Sequence, residues 1–284
     1  DVIVEVLSET VQEDDIKAWI ASDPENSIPY SVMGEWYINE AWKRRGGGYA
    51  HKVKEEGWRG FSHYLTLARQ HLEKAYALDP GDYVACAHMI TVCMGQSDKA
   101  GCYTWFDRAV ALDPEYYSAH NKLIWAMYPR WLGSEKEVQA LLKSLEGRDP
   151  KFNKIITSRM RRTRKSDYKD PSSEIGKEAY RLLRAHVEAY PQSGGARGRL
   201  GDLLWWQGAR ARAVRHYEAA AQLDPSFSNL YEYANLLYLT KQYGLATKVV
   251  EDAIAANPDN YKGYSLAGRI HQFGYKQYSD AVAF

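Results

Sequence analysis

Along most of the chain, apolar residues recur at intervals of three and four, the spacing that lays them on one face of a helix. Six prolines put this pattern in register: Pro80, Pro114, Pro150, Pro191, Pro225 and Pro258. Twelve residues before each stands Ala68, Cys102, Val138, Ala179, Ala213 or Ala246. Eight before stands a large residue, Leu72, Phe106, Leu142, Leu183, Tyr217 or Val250, and five before stands Ala75, Ala109, Leu145, His186, Ala220 or Ala253. Two helices approach closely where a small side chain faces a bulky one. The prolines are 34, 36, 41, 34 and 33 residues apart, a period that belongs to repeat architectures. Proline cannot continue a helix, so each is expected to end the second helix of a pair.

First helices carry their own apolar stripes: Leu200 and Leu204; then Leu230, Tyr233, Ala234 and Leu237; then Leu266, Ala267 and Ile270. The turns between the helices hold Gly208, or Tyr243 and Gly244, where a tight reversal needs tolerant backbone. Inserts over 44–60 and 128–134 separate the helices of two pairs, and both should lie on the same edge. From Lys151 to Pro191 the first helix reads as short and basic, and 165–173 as a loop. After Asn260 a further unit begins and stops at Phe284. The expected organisation is an N-terminal cap over 1–26, divergent units over 27–150, an irregular linking unit over 151–191, and regular units with a C-terminal cap over 192–284.

This pattern resembles the tetratricopeptide (TPR) family, whose Gly, aromatic, Ala, aromatic, Ala and Pro positions are matched from Gly194 to Pro258 and from Tyr83 to Pro114. The match is looser at Ser27 to Pro80 and at Tyr117 to Pro150. The resemblance implies an all-α fold, a right-handed α-solenoid of about six to seven stacked antiparallel helix pairs. The N-terminal half also resembles an uncharacterised bacterial domain-of-unknown-function family joined to such repeats. Its carrying residues are Gly34, Ala41, Trp42, Arg45, Gly46, Gly57, Trp58 and Phe61, with Pro129, Arg130, Trp131, Gly133 and Ser134. That family supplies no activity.

Charge narrows the partner. Lys and Arg number 37 against 36 for Asp and Glu, a formal charge of +1, so no whole-molecule field favours nucleic acid or an anionic membrane. A protein or peptide partner is expected, with no nucleic acid, on a monomer or weak homodimer. No run approaches the length of a membrane span, and 1–12 lack the basic start and apolar core of a signal peptide. Three cysteines, Cys86, Cys93 and Cys102, crowd one segment without a Cys-x-x-Cys spacing. They read as buried packing in a reducing, cytoplasmic protein, with no metal and no cofactor.

Stacked pairs curve, and their first helices line the concave wall. The predicted partner-binding residues there are Asn121, Lys122, Trp125, Arg199, Asp202, Trp205, Trp206, Tyr231, Asn235 and Tyr238, with Glu35, Trp36, His88, Thr91 and Tyr264 in the flanking units. Trp, Tyr and Arg suit a binding surface because they bury large area with few rotatable bonds; the structural alternative is that they fill seams between repeats. A second candidate is a small-molecule or anion site, or an enzyme's, at the inserts: Arg45, Trp58, Arg130 and Trp131, with guanidinium groups and stacked indoles around a ligand. Its structural alternative is a lid, Trp131 plugging a gap and Arg130 capping carbonyls. Gly46, Gly47 and Gly48 follow no strand and precede no Gly-Lys-Ser or Gly-Lys-Thr, so they do not form a phosphate loop. The basic run Arg159, Arg161, Arg162, Arg164 and Lys165 is answered by Asp167, Asp170 and Glu174 and reads as a solvated face. Without a catalytic constellation, the chain is expected to bind rather than catalyse. An adaptor, a self-associating scaffold and a protein that neutralises a bacterial effector or toxin are the alternative roles.

Overall fold

The structure, a computed structural model, describes residues 2–275. Every regular element among them is helical. The chain divides into two compact units, Asp1–Leu145 and Glu146–Phe284.

The first unit holds α1 (Val2–Thr10), α2 (Glu13–Ser22), α3 (Ser27–Arg45), α4 (Glu55–Leu78), α5 (Tyr83–Gly95), α6 (Lys99–Leu112), α7 (Tyr117–Ala126) and α8 (Glu135–Lys143). The first two helices pack on α3, α3 pairs with α4, and α5 pairs with α6. Side chains at their N-caps accept the orphan amides of the first turn: Asn26 from Ile28, Asp82 from Ala85, Asp98 from Gly101 and Ser134 from Glu137.

The second unit holds α9 (Asn153–Thr163), α10 (Lys165–Lys169), α11 (Glu174–Ala189), α12 (Gly194–Trp206), α13 (Arg210–Leu223), α14 (Phe227–Leu239), α15 (Tyr243–Ala256) and α16 (Tyr261–Arg269), then a single π turn, Ile270–Tyr275. Its regular pairs are α12 with α13 and α14 with α15. Of the further unit expected after Asn260, 276–284 lie outside the described residues.

The proline register is physical. α4, α6, α11, α13 and α15 end at Leu78, Leu112, Ala189, Leu223 and Ala256, each two residues before its proline. All six residues twelve before a proline, Ala68 to Ala246, are 0% exposed. The small-against-large rule is sharpest at Gly201, where an added Cβ would stand 2.7 Å from the Tyr217 ring.

Three turns share one construction. Ser97, Gly208 and Lys241 have φ of 61°, 82° and 64°. The amide of the next residue donates five residues back: Asp98 to Cys93, Ala209 to Leu204 and Gln242 to Leu237. This is the Schellman closure of a first helix.

Four expectations need correction. The tolerant residue between α14 and α15 is Lys241; Gly244 lies inside α15. Pro150 does not end a helix, because α8 stops at Lys143 and Gly147 at φ 75° takes the chain out of helical backbone. Pro150 instead opens a 3-10 turn, Pro150–Phe152, capped by Asp149. The insert is shorter than 44–60: α3 runs on to Arg45, α4 starts at Glu55, and 46–54, with a 3-10 turn at Ala50–Lys52, connects them. Finally, 165–173 contains α10, held by Tyr168, whose ring is buried at 4% exposure. Among the described residues no helix is long and apolar enough to cross a membrane.

Candidate partner-binding surfaces

In the second unit, the predicted residues stand on the first helices of the regular pairs, Arg199, Asp202, Trp205 and Trp206 on α12 and Tyr231, Asn235 and Tyr238 on α14. All seven are half-buried. The four aromatics pack against the unit's core and still keep part of their surface. Trp206 meets the Tyr168 ring edge-on at 6.0 Å, with Arg161 5.1 Å and Lys169 5.0 Å from its ring centre. Trp205 carries Arg210 at 5.4 Å, Tyr231 stacks on Phe227 at 5.6 Å, and Tyr238 lies between Tyr243 and Arg269. Both tryptophans therefore have neighbours despite pointing about a hundred degrees apart on one helix.

The charged groups of the same face act on one another. Tyr217 donates its hydroxyl to Asp202 Oδ1. Burial pushes the Asp202 carboxyl up, and burial followed by the Asp202 charge does the same to Glu232. Burial, then Arg199, pulls Lys154 down; burial, then Lys154 and Arg199, pulls His186 down. Asn235 hydrogen-bonds Glu232. Arg199 shares a tight niche with Thr157, Arg161, Asp202 and Trp206. These are partly desolvated charges, which in water would each be better hydrated. Sequence reading missed Lys154 and Glu232. Glu232 could have been found, since it lies three residues before Asn235 on one helix face; Lys154 sits in the irregular segment and gave no signal.

In the first unit, Asn121 is exposed while Lys122 and Trp125 are half-buried on α7. Glu35 and His88, read as concave-wall positions, are largely buried, with His88 Nε2 3.5 Å from Glu35 Oε2. Burial, then Lys122, holds the His88 ring well below its ordinary value, so the contact joins a carboxylate to a neutral imidazole. Cys86, Cys93 and Cys102 are free and fully buried, and burial raises their thiols to about 12, 11 and 12. Those thiols are protonated and unreactive at neutral pH.

The two insert segments do meet. Trp131 lies edge-on to Trp42 at 5.7 Å, and Trp42 and Trp58 both pack on Phe61. Arg45 sits among three indoles, its guanidinium carbon 5.5 Å from Trp42, 5.1 Å from Trp58 and 5.7 Å from Trp131. Its Nη1 donates to the carbonyls of Gly46 and Gly48 at 3.1 Å each. Arg130 stands on the outer side of this cluster; it lies over Trp125 at 4.2 Å and reaches the Trp131 ring at 6.0 Å, and it is exposed. The insert cluster thus clamps a glycine loop with an arginine surrounded by rings, each such contact contributing about 0.5–1 kcal/mol or more when desolvated.

Residues 1–97 match the family described as a domain of unknown function (DUF4034). The match takes in Gly34, Trp42, Arg45, Trp58 and Phe61, whereas Trp131 lies beyond it. No curated protein matches the chain. Among solved structures, it is similar to the APC/C hetero-tetramer Cut9-Hcn1, at 12% identity and a TM-score of 0.49 over 94% of this chain and 48% of that one. The chain thus spans about half the length of that relative. It is also similar to pilF of Pseudomonas aeruginosa, at 16% identity and 0.41 over 89% of this chain and 90% of that one. A third likeness is to YrrB, described as a TPR protein with an unusual peptide-binding site, at 17% identity and 0.30 over 87% and 95%.

Proposed function

We propose that the chain is a non-catalytic binding module that holds a peptide or protein partner on its first helices. In the second unit the surface runs from Lys154 through Arg199 and Asp202 to Glu232 and Asn235, with Trp205, Trp206, Tyr231 and Tyr238 as apolar contacts. In the first unit, Asn121, Lys122 and Trp125 of α7 form a candidate surface of their own.

The observation that carries this reading is the row of partly desolvated, mutually perturbed charges. A solvated face keeps its charges hydrated, and a packing face replaces them with apolar groups. Holding Asp202, Glu232 and Lys154 half-buried costs stability, and perturbed groups gathered on one face mark binding surfaces more often than chance. Arg199 has no hydrogen bond or ion pair among the described residues and is free to receive a carboxylate from a partner. The aromatic edges beside it supply area while the polar groups fix register. In the insert cluster, by contrast, Nη1 of Arg45 already donates to two carbonyls and its guanidinium lies among three rings, its buried Nε alone making no hydrogen bond. That favours a closure of the α3–α4 pair over a ligand pocket.

The test is affinity capture from the source organism's lysate with the wild-type chain beside an Arg199→Ala, Asn235→Ala variant. Both positions are polar and half-buried, so the fold should survive; equal helicity by circular dichroism checks this. A partner kept by the wild type and lost by the variant supports the surface. A partner retained equally by both moves binding away from it.

A further inference from the structure

We propose that Arg197, Arg212, Arg215 and His216 form a binding site for a phosphate group, separate from the partner surface on the first helices. The four residues line a shallow pocket of about 200 Å³. Arg197 comes from α12 and the other three from α13, so the site belongs wholly to the second unit.

An ordinary solvated helix face does not look like this. At four exposed helix positions elsewhere in the molecule a cation meets an acid one turn away: Lys17 with Glu13 at 2.8 Å, Arg59 with Glu55 at 3.3 Å, Arg181 with Glu178 at 2.6 Å and Arg184 with Glu188 at 2.7 Å. None of the three pocket arginines meets a carboxylate among the described residues. The single acid of α13, Glu218, stands three residues after Arg215 and is drawn to Tyr233 instead. Three like charges therefore converge with nothing to balance them, an arrangement that is unfavourable until an anion arrives.

The forks are also partly set. Arg197 donates through Nε and Nη2 to the carbonyl of Pro191 at 3.3 and 3.1 Å. Arg212 donates to the Tyr180 hydroxyl and lies 5.2 Å from that ring's centre. Each is held in place with donors to spare, and Arg215 has no partner at all among the described residues. His216 Nδ1 is buried without a hydrogen bond. Burial, then the three arginines, keeps the ring neutral, so it contributes a hydrogen-bonding nitrogen rather than a fourth charge.

Phosphate fits this set better than a carboxylate does. A phosphate monoester carries close to two negative charges and three strong acceptor oxygens. That suits several forked donors arriving from two helices, whereas one carboxylate occupies one fork.

The experiment is isothermal titration of the full chain with inorganic phosphate at constant ionic strength, with acetate and chloride as controls. Phosphate should bind saturably and acetate should not. Arg215→Gln should weaken binding roughly tenfold or more, the loss of a charge-assisted hydrogen bond. Arg210→Gln, on the same helix but turned to Trp205, should leave it unchanged, as should the Arg199→Ala, Asn235→Ala variant. Arg212→Gln is the second pocket variant if the first does not fold. Phenyl phosphate separates the sources: tighter binding than inorganic phosphate assigns the site to a phosphorylated group on a larger molecule, and equal binding assigns it to the free ion. Phosphate heats no different from those of chloride, or wild-type affinity in Arg215→Gln, or an equal loss in Arg210→Gln, would overturn the proposal.

Discussion

The α3–α4 pair and the α12–α13 pair solve the same packing problem in different ways. Both bury a small residue twelve before the proline, Ala68 and Ala213, and a large one eight before it, Leu72 and Tyr217. Both oppose the large residue with a glycine, Gly34 against Leu72 and Gly201 against Tyr217. At the open end they part. α12 and α13 close through one left-handed glycine, Gly208, while α3 and α4 run on for further turns and close through Arg45, three tryptophans and a glycine loop. The seam between paired helices is fixed by shape, and the end of the pair is free to carry something else.

The comparison can be tested at its strongest point by emptying the shared seam. Tyr217→Ala and Leu72→Ala should each lower stability by about 2–5 kcal/mol in urea unfolding. Tyr217→Ala should be the worse of the two, because it also strips the half-buried Asp202 carboxyl of its donor. If either loss falls under about 1 kcal/mol, the two seams are not equivalent.

Next is the end of the pair. Arg45→Ala should cost about 1–3 kcal/mol, from three ring contacts and two hydrogen bonds, and should change the tryptophan emission. Arg45→Lys should not restore the wild type, since an ammonium cannot present the planar fork. Full rescue by lysine would mean that charge alone closes the pair.

The turns give a smaller effect. Gly208→Ala should destabilise by about 1 kcal/mol and Lys241→Gly should stabilise by about 0.5–1 kcal/mol, because both positions hold left-handed backbone. Thermal unfolding of the two variants decides it, and shifts of the same sign would refute the shared turn.

The smallest effect is a pH trend. The Asp202 carboxyl is raised in the fold, so its contribution to stability is full at low pH and is lost as pH rises through its folded value. Asp202→Asn should therefore be the more stable protein at neutral pH, and its advantage should vanish on acidification. An advantage independent of pH would point to packing instead of charge.

Much of the fold was legible because close packing leaves a record in residue size. Ala, Cys and Val recur where two helices touch, and a proline recurs where one must stop. The record fails where geometry rests on backbone or on distant contacts. Lys241 gives no sign of its left-handed turn, and α8 stops at Lys143, seven residues before the proline that was expected to end it. Tyr168 turns an apparent loop into α10 through burial beside Trp206. The aromatic and arginine positions of the first helices were readable as a face. Lys154 and Glu232 were not read from it, since their perturbation arises from neighbours in other helices. The Arg45 cluster joins residues up to 89 positions apart, from Trp42 to Trp131, and its members could be named from the family resemblance but not placed around one guanidinium.

The three buried thiols make the first unit its own clock. Cys86, Cys93 and Cys102 are the only cysteines in the chain, all within Asp1–Leu145. Each is silent toward an alkylating reagent until the helices around it part. Labelling rate under native conditions thus counts openings of that unit alone, and a mass increment of one, two or three adducts tells whether α5, which carries Cys86 and Cys93, opens together with α6, which carries Cys102, while the second unit breathes unseen.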